Sequence, residues 1–136
     1  MPFLVDGNVL SEATRPDPDE NVVRWLRAHE EELVVDPIIL GELHAGILFL
    51  PKGRRRRNLE AWFREVTNSI HCLDWNAQTA LHWSRLLAEL RAKGRSMPLK
   101  DSLIAASALS HDLTLATRNE KDFLHSGAKV FNPFSA

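Results

Sequence analysis

The chain has 136 residues, 44% hydrophobic and 26% charged, which is ordinary for a soluble globular protein and long enough to bury a core without staples. Its one cysteine, Cys72, excludes an internal disulfide, and no apolar stretch reaches the length of a membrane span, so a soluble cytoplasmic protein is expected. A net charge of −1 gives no whole-molecule signature of a nucleic-acid binder, although KGRRRR packs five cations into residues 52–57, and such runs commonly meet phosphate.

In chain order, FLVD reads as a short buried strand stopping on Asp6, with Gly7 to turn the chain away. PDENVVRWLRAHEE places Val22, Val23, Leu26 and Trp25 at helical spacing behind possible caps at Asp17 and Asp19. ELVVD is a second strand, ending on Asp36, and Pro37 suits the first turn of a mostly buried helix through PIILGELHAGILFL. A helix follows over RRRRNLEAWFREVTN with Leu59, Trp62, Phe63 and Val66 on one face, then a third strand, IHCLD, with Cys72 as a small core residue and Asp74 at its end. NAQTALHWSRLLAELRAKG is a long amphipathic helix stopped by Gly94, and KDSLIAASALSHD is a small-residue helix suited to close packing. LTLATRN supplies a fourth strand and KVFN a fifth. Alternating strands and helices predict one three-layer α/β/α domain over residues 1–136, with a central parallel sheet of four or five strands.

Ligands of such sheets bind beyond the carboxyl ends of the strands, where Asp6, Asp36, Asp74 and Asn119 fall. Each alone reads as a turn or cap residue, and Asp36 and Asp74 keep that reading. Glu42 is the one carboxylate in PIILGELHAGILFL, a helix otherwise almost wholly apolar. Burying it unpaired costs several kcal/mol, so it needs a salt bridge, a metal or a catalytic role. Asp101 opens a helix, where a first-turn anion is favoured by the dipole, and spacing alone does not bring it to Asp6. Asn119 and Asp122 follow the fourth strand. Oxygen donors of this kind converging on one point would suit Mg²⁺ or Mn²⁺, whereas six scattered histidines without cysteine companions do not suit zinc.

These segments resemble the VapC-type toxins, the PIN-domain ribonucleases of bacterial toxin–antitoxin pairs. The resemblance rests on VDGNVLSE, ILGEL, KDSLIAA, TRNEKDF and a closing NPF, in order over essentially the whole length. It implies that Asp6, Glu42 and Asp101 are the acidic active-site residues and metal ligands. Asn119 falls where some members carry a fourth acid, with Asp122 close enough to substitute, and Gly7 stands where members often have Thr or Ser. It also implies hydrolysis of RNA with one or two Mg²⁺ or Mn²⁺ ions, a small cognate antitoxin and no membrane partner. The cations Arg54, Arg55, Arg56 and Arg57 are expected to contact RNA or a partner, or to form a solvated helix start. Large apolar residues at Trp25, Phe49, Trp62 and Trp83 are expected to supply a homodimer face and an antitoxin groove. Two rivals are an aspartate-dependent phosphatase, which usually wants a second Asp where Asn8 stands, and a non-catalytic PIN-like module acting through its partner.

Overall fold

In the computed structural model, which describes residues 2–135, five short strands pair in parallel. They are β1 (Phe3–Val5), β2 (Leu33–Val35), β3 (His71–Cys72), β4 (Thr114–Ala116) and β5 (Lys129–Phe131), in the order β3-β2-β1-β4-β5. Parallel neighbours cannot be joined by tight turns, so helices return the chain. These are α1 (Gly7–Leu10), α2 (Glu20–Ala28), α3 (Pro37–Leu48), α4 (Arg54–Ser69), α5 (Ala77–Ala92), α6 (Leu99–Ser110) and α7 (Glu120–Phe123). The α/β/α class is as expected, and KVFN forms the fifth strand.

The strand order positions the site. From β1 the sheet grows outward through β2 to β3, and the chain then returns to the other side of β1 to add β4 and β5. The reversal falls between β1 and β4, and a crevice opens beyond the carboxyl ends of strands at such a point. Leu4, Val5, Val35, Leu115 and Ala116 are buried at the sheet's centre, a continuous apolar pattern that requires cover on both faces. In α6, Ile104, Ala105, Ala106 and Ala108 are all buried, their small side chains letting the helix lie close. Caps fix where the helices begin. Asp19 Oδ1 accepts from Asn21 N and Val22 N, Asn76 Oδ1 accepts from Thr79 N, and Gly94, at φ +68°, takes the left-handed turn after α5.

Several expectations are corrected. Asp17 is exposed and Asp19 alone caps α2. The chain after Asp6 forms α1 and a 3-10 turn over Ser11–Thr14, pieces too short to show a period in sequence. Gly7 is therefore the first helical residue, and close approach explains it better than turning: a Cβ there would lie 3.2 Å from Leu43 Cδ2. Only Ile39 and Ile47 of α3 are buried, and Pro37, Gly41, His44, Gly46 and Leu48 are exposed along its length, so one face of the helix meets solvent. Cys72 is half-buried on the edge strand β3 rather than in the core. Trp25 is a core residue, its ring edge-on to Phe3, and is no surface anchor.

Candidate active site

Asp6 follows β1 at the crevice and is buried to 8% exposure. Its Oδ1 accepts from Gly7 N at 2.8 Å, capping α1, and its Oδ2 accepts from Thr117 Oγ1 at 2.8 Å and from Asn8 Nδ2 at 3.3 Å. Thr117, fully buried just past β4, spends its one proton on Asp6 while its oxygen accepts from Asn119 N at 3.1 Å. Asn8 Oδ1 in turn accepts from Arg118 N. One hydroxyl thus fastens the end of β1 to the end of β4. Burial pushes the Asp6 carboxyl above the usual range, opposed by the Thr117 and Gly7 bonds and aided by repulsion from Glu42 and Asp36.

Glu42 comes from the second turn of α3 and Asp101 from the first turn of α6, and both line the same cleft as Asp6. Glu42 is not the buried carboxylate expected: its side chain is 32% exposed and Oε2 pairs with Lys100 Nζ at 3.1 Å. Asp101 caps nothing. Its carboxyl is pushed up to about 6, first by burial, then by the negative charges of Asp122, Asp6 and Glu42, with Lys100 opposing. Asn119 lines the cleft, and its side chain makes no capping bond to α7. Asp122 is exposed and faces a separate shallow hollow with Arg118 and Lys121, yet it repels Asp101 more than the two cleft acids do.

The cleft, about 640 Å³, is also lined by Leu43 and Ile47 of α3, by Arg55, Leu59 and Trp62 of α4, and by Arg15. Of the basic run only Arg55 lines it. Arg56 is turned aside, its Nε 2.7 Å from Glu60 Oε1, and Arg54 and Arg57 are exposed outside it. Asp36 and Asp74 also lie outside the cleft. Asp36 caps α3 through Ile39 N at 2.8 Å and accepts from Ser107 Oγ of α6 at 2.7 Å, and burial raises its carboxyl too. Thr117 and Lys100 escaped the sequence reading. A threonine after a strand and a lysine beside an aspartate carry no pattern of their own, although the two residues open the segments TRNEKDF and KDSLIAA.

Asp6, Glu42, Asp101 and Asn119 offer oxygen donors alone, the chemistry of a hard cation. Burial and mutual repulsion leave Asp6 and Asp101 reluctant to ionise, so the cluster is short of positive charge. Among the described residues no three His, Cys, Asp or Glu side chains are close enough together to hold an ion between them, and Glu42 is drawn to Lys100. The donor types fit Mg²⁺ or Mn²⁺, and ligation would exchange the Lys100 pair for the ion.

The family model for the PIN domain matches residues 3–128. The plasmid stability protein StbB of Pseudomonas syringae pv. tomato is 37% identical, the alignment covering 98% of this chain and 99% of that protein. The VapC ribonuclease Y4jK of Sinorhizobium fredii is 29% identical over 97% of each chain. Among solved structures, one of FitAB bound to a DNA fragment superposes with a TM-score of 0.90 at 29% identity, covering 97% of this chain and 95% of the other.

Proposed function

Because the chain belongs to the PIN-domain family, among the VapC-type ribonuclease toxins, we propose that it is the toxin of a toxin–antitoxin pair, cutting RNA phosphodiester bonds at a carboxylate-bound Mg²⁺ or Mn²⁺. One observation carries the reading. Asp6, Glu42 and Asp101, each from a different segment, line one cleft at the point where the sheet reverses.

PIN-domain ribonucleases generally depend on divalent metal, and here Asp6, Glu42 and Asp101 would hold it. The ion supplies a water of lowered pKa and positive charge at the phosphate. Asp6 is held in one orientation by Thr117 and Gly7 N. Lys100 puts a cation beside Glu42, where a phosphate at the acids needs one. Asn119 offers an amide to orient water, and Asp122 raises the local negative charge from outside the cleft. The match to the PIN family over residues 3–128 and to a VapC ribonuclease disfavours the phosphatase alternative. A small antitoxin closing the cleft and a homodimer would cover exposed apolar surface such as Phe49, 84% exposed beyond α3. No helix among the described residues is long and apolar enough to cross a membrane, and the lone thiol suits a cytoplasmic home.

The test is incubation of purified protein with total RNA, with and without Mn²⁺, followed by mapping of the ends produced. Cleavage should need the metal and vanish in Asp6→Asn. Cleavage that persists in EDTA sinks the metal mechanism, and no cleavage under any condition sinks the nuclease.

A further inference from the structure

Metal binding at this site has to begin with a movement. Among the described residues no three His, Cys, Asp or Glu side chains stand close enough to share an ion, so at least one acid must swing before three can ligate. Asp6 has little freedom to do so, being buried and bonded to Gly7 N and Thr117 Oγ1 at 2.8 Å each. Glu42 is the opposite case. Its side chain is 32% exposed, and its Oε2 lies 3.1 Å from the Nζ of Lys100, a side chain 66% exposed. A pair so open to solvent costs little to break.

The lysine is out of place in its own helix. It lies in the first turn of α6, one residue before Asp101, where the positive end of the helix dipole disfavours a cation. Helix stability therefore does not account for it, whereas its partner on α3 does. Asp36 bonds the start of α3 to Ser107 of α6, so the pair can part without the two helices separating. We propose that Lys100 is a built-in competitor for the metal: its ammonium holds Glu42 while no ion is bound, and an incoming Mg²⁺ or Mn²⁺ binds by taking that carboxylate from it. The inference rests on the metal-dependent ribonuclease reading. It adds that a surface lysine, and not the acids alone, sets how much metal the site needs. A pair that merely tied α3 to α6 would, once broken, leave metal affinity alone or lower it. Removing a competitor raises it.

The test is calorimetric titration of the full chain with Mn²⁺ alone, without RNA, with melting curves taken alongside. Lys100→Met and Lys100→Gln should each bind Mn²⁺ about two- to fivefold tighter than wild type, the range that an exposed ion pair is worth. Lys100→Arg keeps the charge and the pair and should bind as wild type does. Arg55→Met, which removes another cation lining the cleft, should gain clearly less. Without metal, Lys100→Met should melt about 1–5 °C below wild type. Saturating Mn²⁺ should abolish that difference, because the pair is then broken in both proteins. Adding Glu42→Gln should remove most of the metal-free difference, since the lysine has then lost its partner. The melting curves also establish folding, and Lys100→Gln decides if Lys100→Met does not fold. Affinity unchanged or weakened in the lysine variants overturns the competitor and leaves Lys100 a structural tie. An equal gain in Arg55→Met overturns it in favour of general charge, and so does a melting difference that survives saturating Mn²⁺. In each of these cases wild-type protein still binds Mn²⁺ and the metal-site reading stands; wild-type protein that binds no Mn²⁺ loses both.

Discussion

Asp6 and Asp36 are built alike. Each ends a central strand, caps the helix that follows, accepts a hydroxyl proton from a distant Ser or Thr, and has its carboxyl raised by burial. They differ in what lies beyond them. Asp6 ends β1, where the sheet reverses, and faces the cleft, while Asp36 ends β2 and is fully enclosed. Enclosure gives Asp36 a different task. Its two bonds join the start of α3, which carries Glu42, to Ser107 on α6, which carries Asp101. One aspartate offers itself to the cleft, and the other fixes the two helices that offer the remaining acids.

The sharpest way to break this pairing is to neutralise each carboxylate in turn. Asp6→Asn should lower cleavage more than a hundredfold, since even partners behind a ligand are worth about 10–100-fold. Asp36→Asn, which keeps a cap acceptor, should stay within about tenfold of wild type. Asp36→Ala should instead lower stability by about 2–5 kcal/mol, from the lost cap and an abandoned hydroxyl at Ser107. Rates from Mn²⁺-dependent cleavage and urea midpoints separate the two residues. Equal losses of cleavage in the two asparagine variants would erase the distinction.

The hydroxyl partners come next. Thr117→Val removes the donor to Asp6 and leaves the shape, so cleavage should fall about 10–100-fold, and Thr117→Ser should recover it. Ser107→Ala acts through the helices and should shift the melting temperature more than the rate. A Thr117→Val enzyme at full rate would make its bond incidental.

A smaller effect is expected with pH. Asp101 is raised from 3.8 to about 6 in the folded protein, with Asp6 and Asp36 raised in the same direction. A raised carboxyl holds its proton more tightly when folded. Its contribution is therefore fully present below pH 3.8 and is lost as pH rises through about 6. Metal-free protein should lose stability across that window. Saturating Mn²⁺, which favours the ionised form, should flatten or reverse the slope, and Asp101→Asn should flatten it without metal. Identical profiles with and without Mn²⁺ would count against the acids sharing an ion.

The legibility of these features differs for physical reasons. Strand ends could be read because apolar runs stop on polar residues, and Glu42 stood out as the one acid in an apolar helix. How far that helix is buried could not be read, since an all-apolar pattern does not say which face meets solvent, and Leu48 and Phe49 at its end are exposed. Asp101 reached the cleft in the sequence reading only by resemblance, because its place depends on how α6 lies across the sheet. The Asp36–Ser107 and Asp6–Thr117 bonds span 71 and 111 residues, and nothing local marks either partner.

The basic run sharpens the comparison at the smallest scale, for here neighbouring identical residues differ by facing alone. Four arginines open α4, against the preference of a helix N-terminus for anions, and Gly53 before them offers no side-chain cap. Helix stability therefore does not explain them. Steps of 100° turn them apart, bringing Arg55 to the cleft and Arg56 to Glu60 and the Leu50 carbonyl. Each phosphate contact on a single strand contributes about 0.7 to the slope of log affinity against log salt. Arg55→Ser should flatten the slope by about that amount, and Arg54→Ser and Arg57→Ser by less. Arg56→Ser should leave it unchanged while costing a few tenths of a kcal/mol, roughly the worth of an exposed helical ion pair. Four equal reductions would mean that the run acts as an undirected field, and the facing of α4 would then have no bearing on RNA.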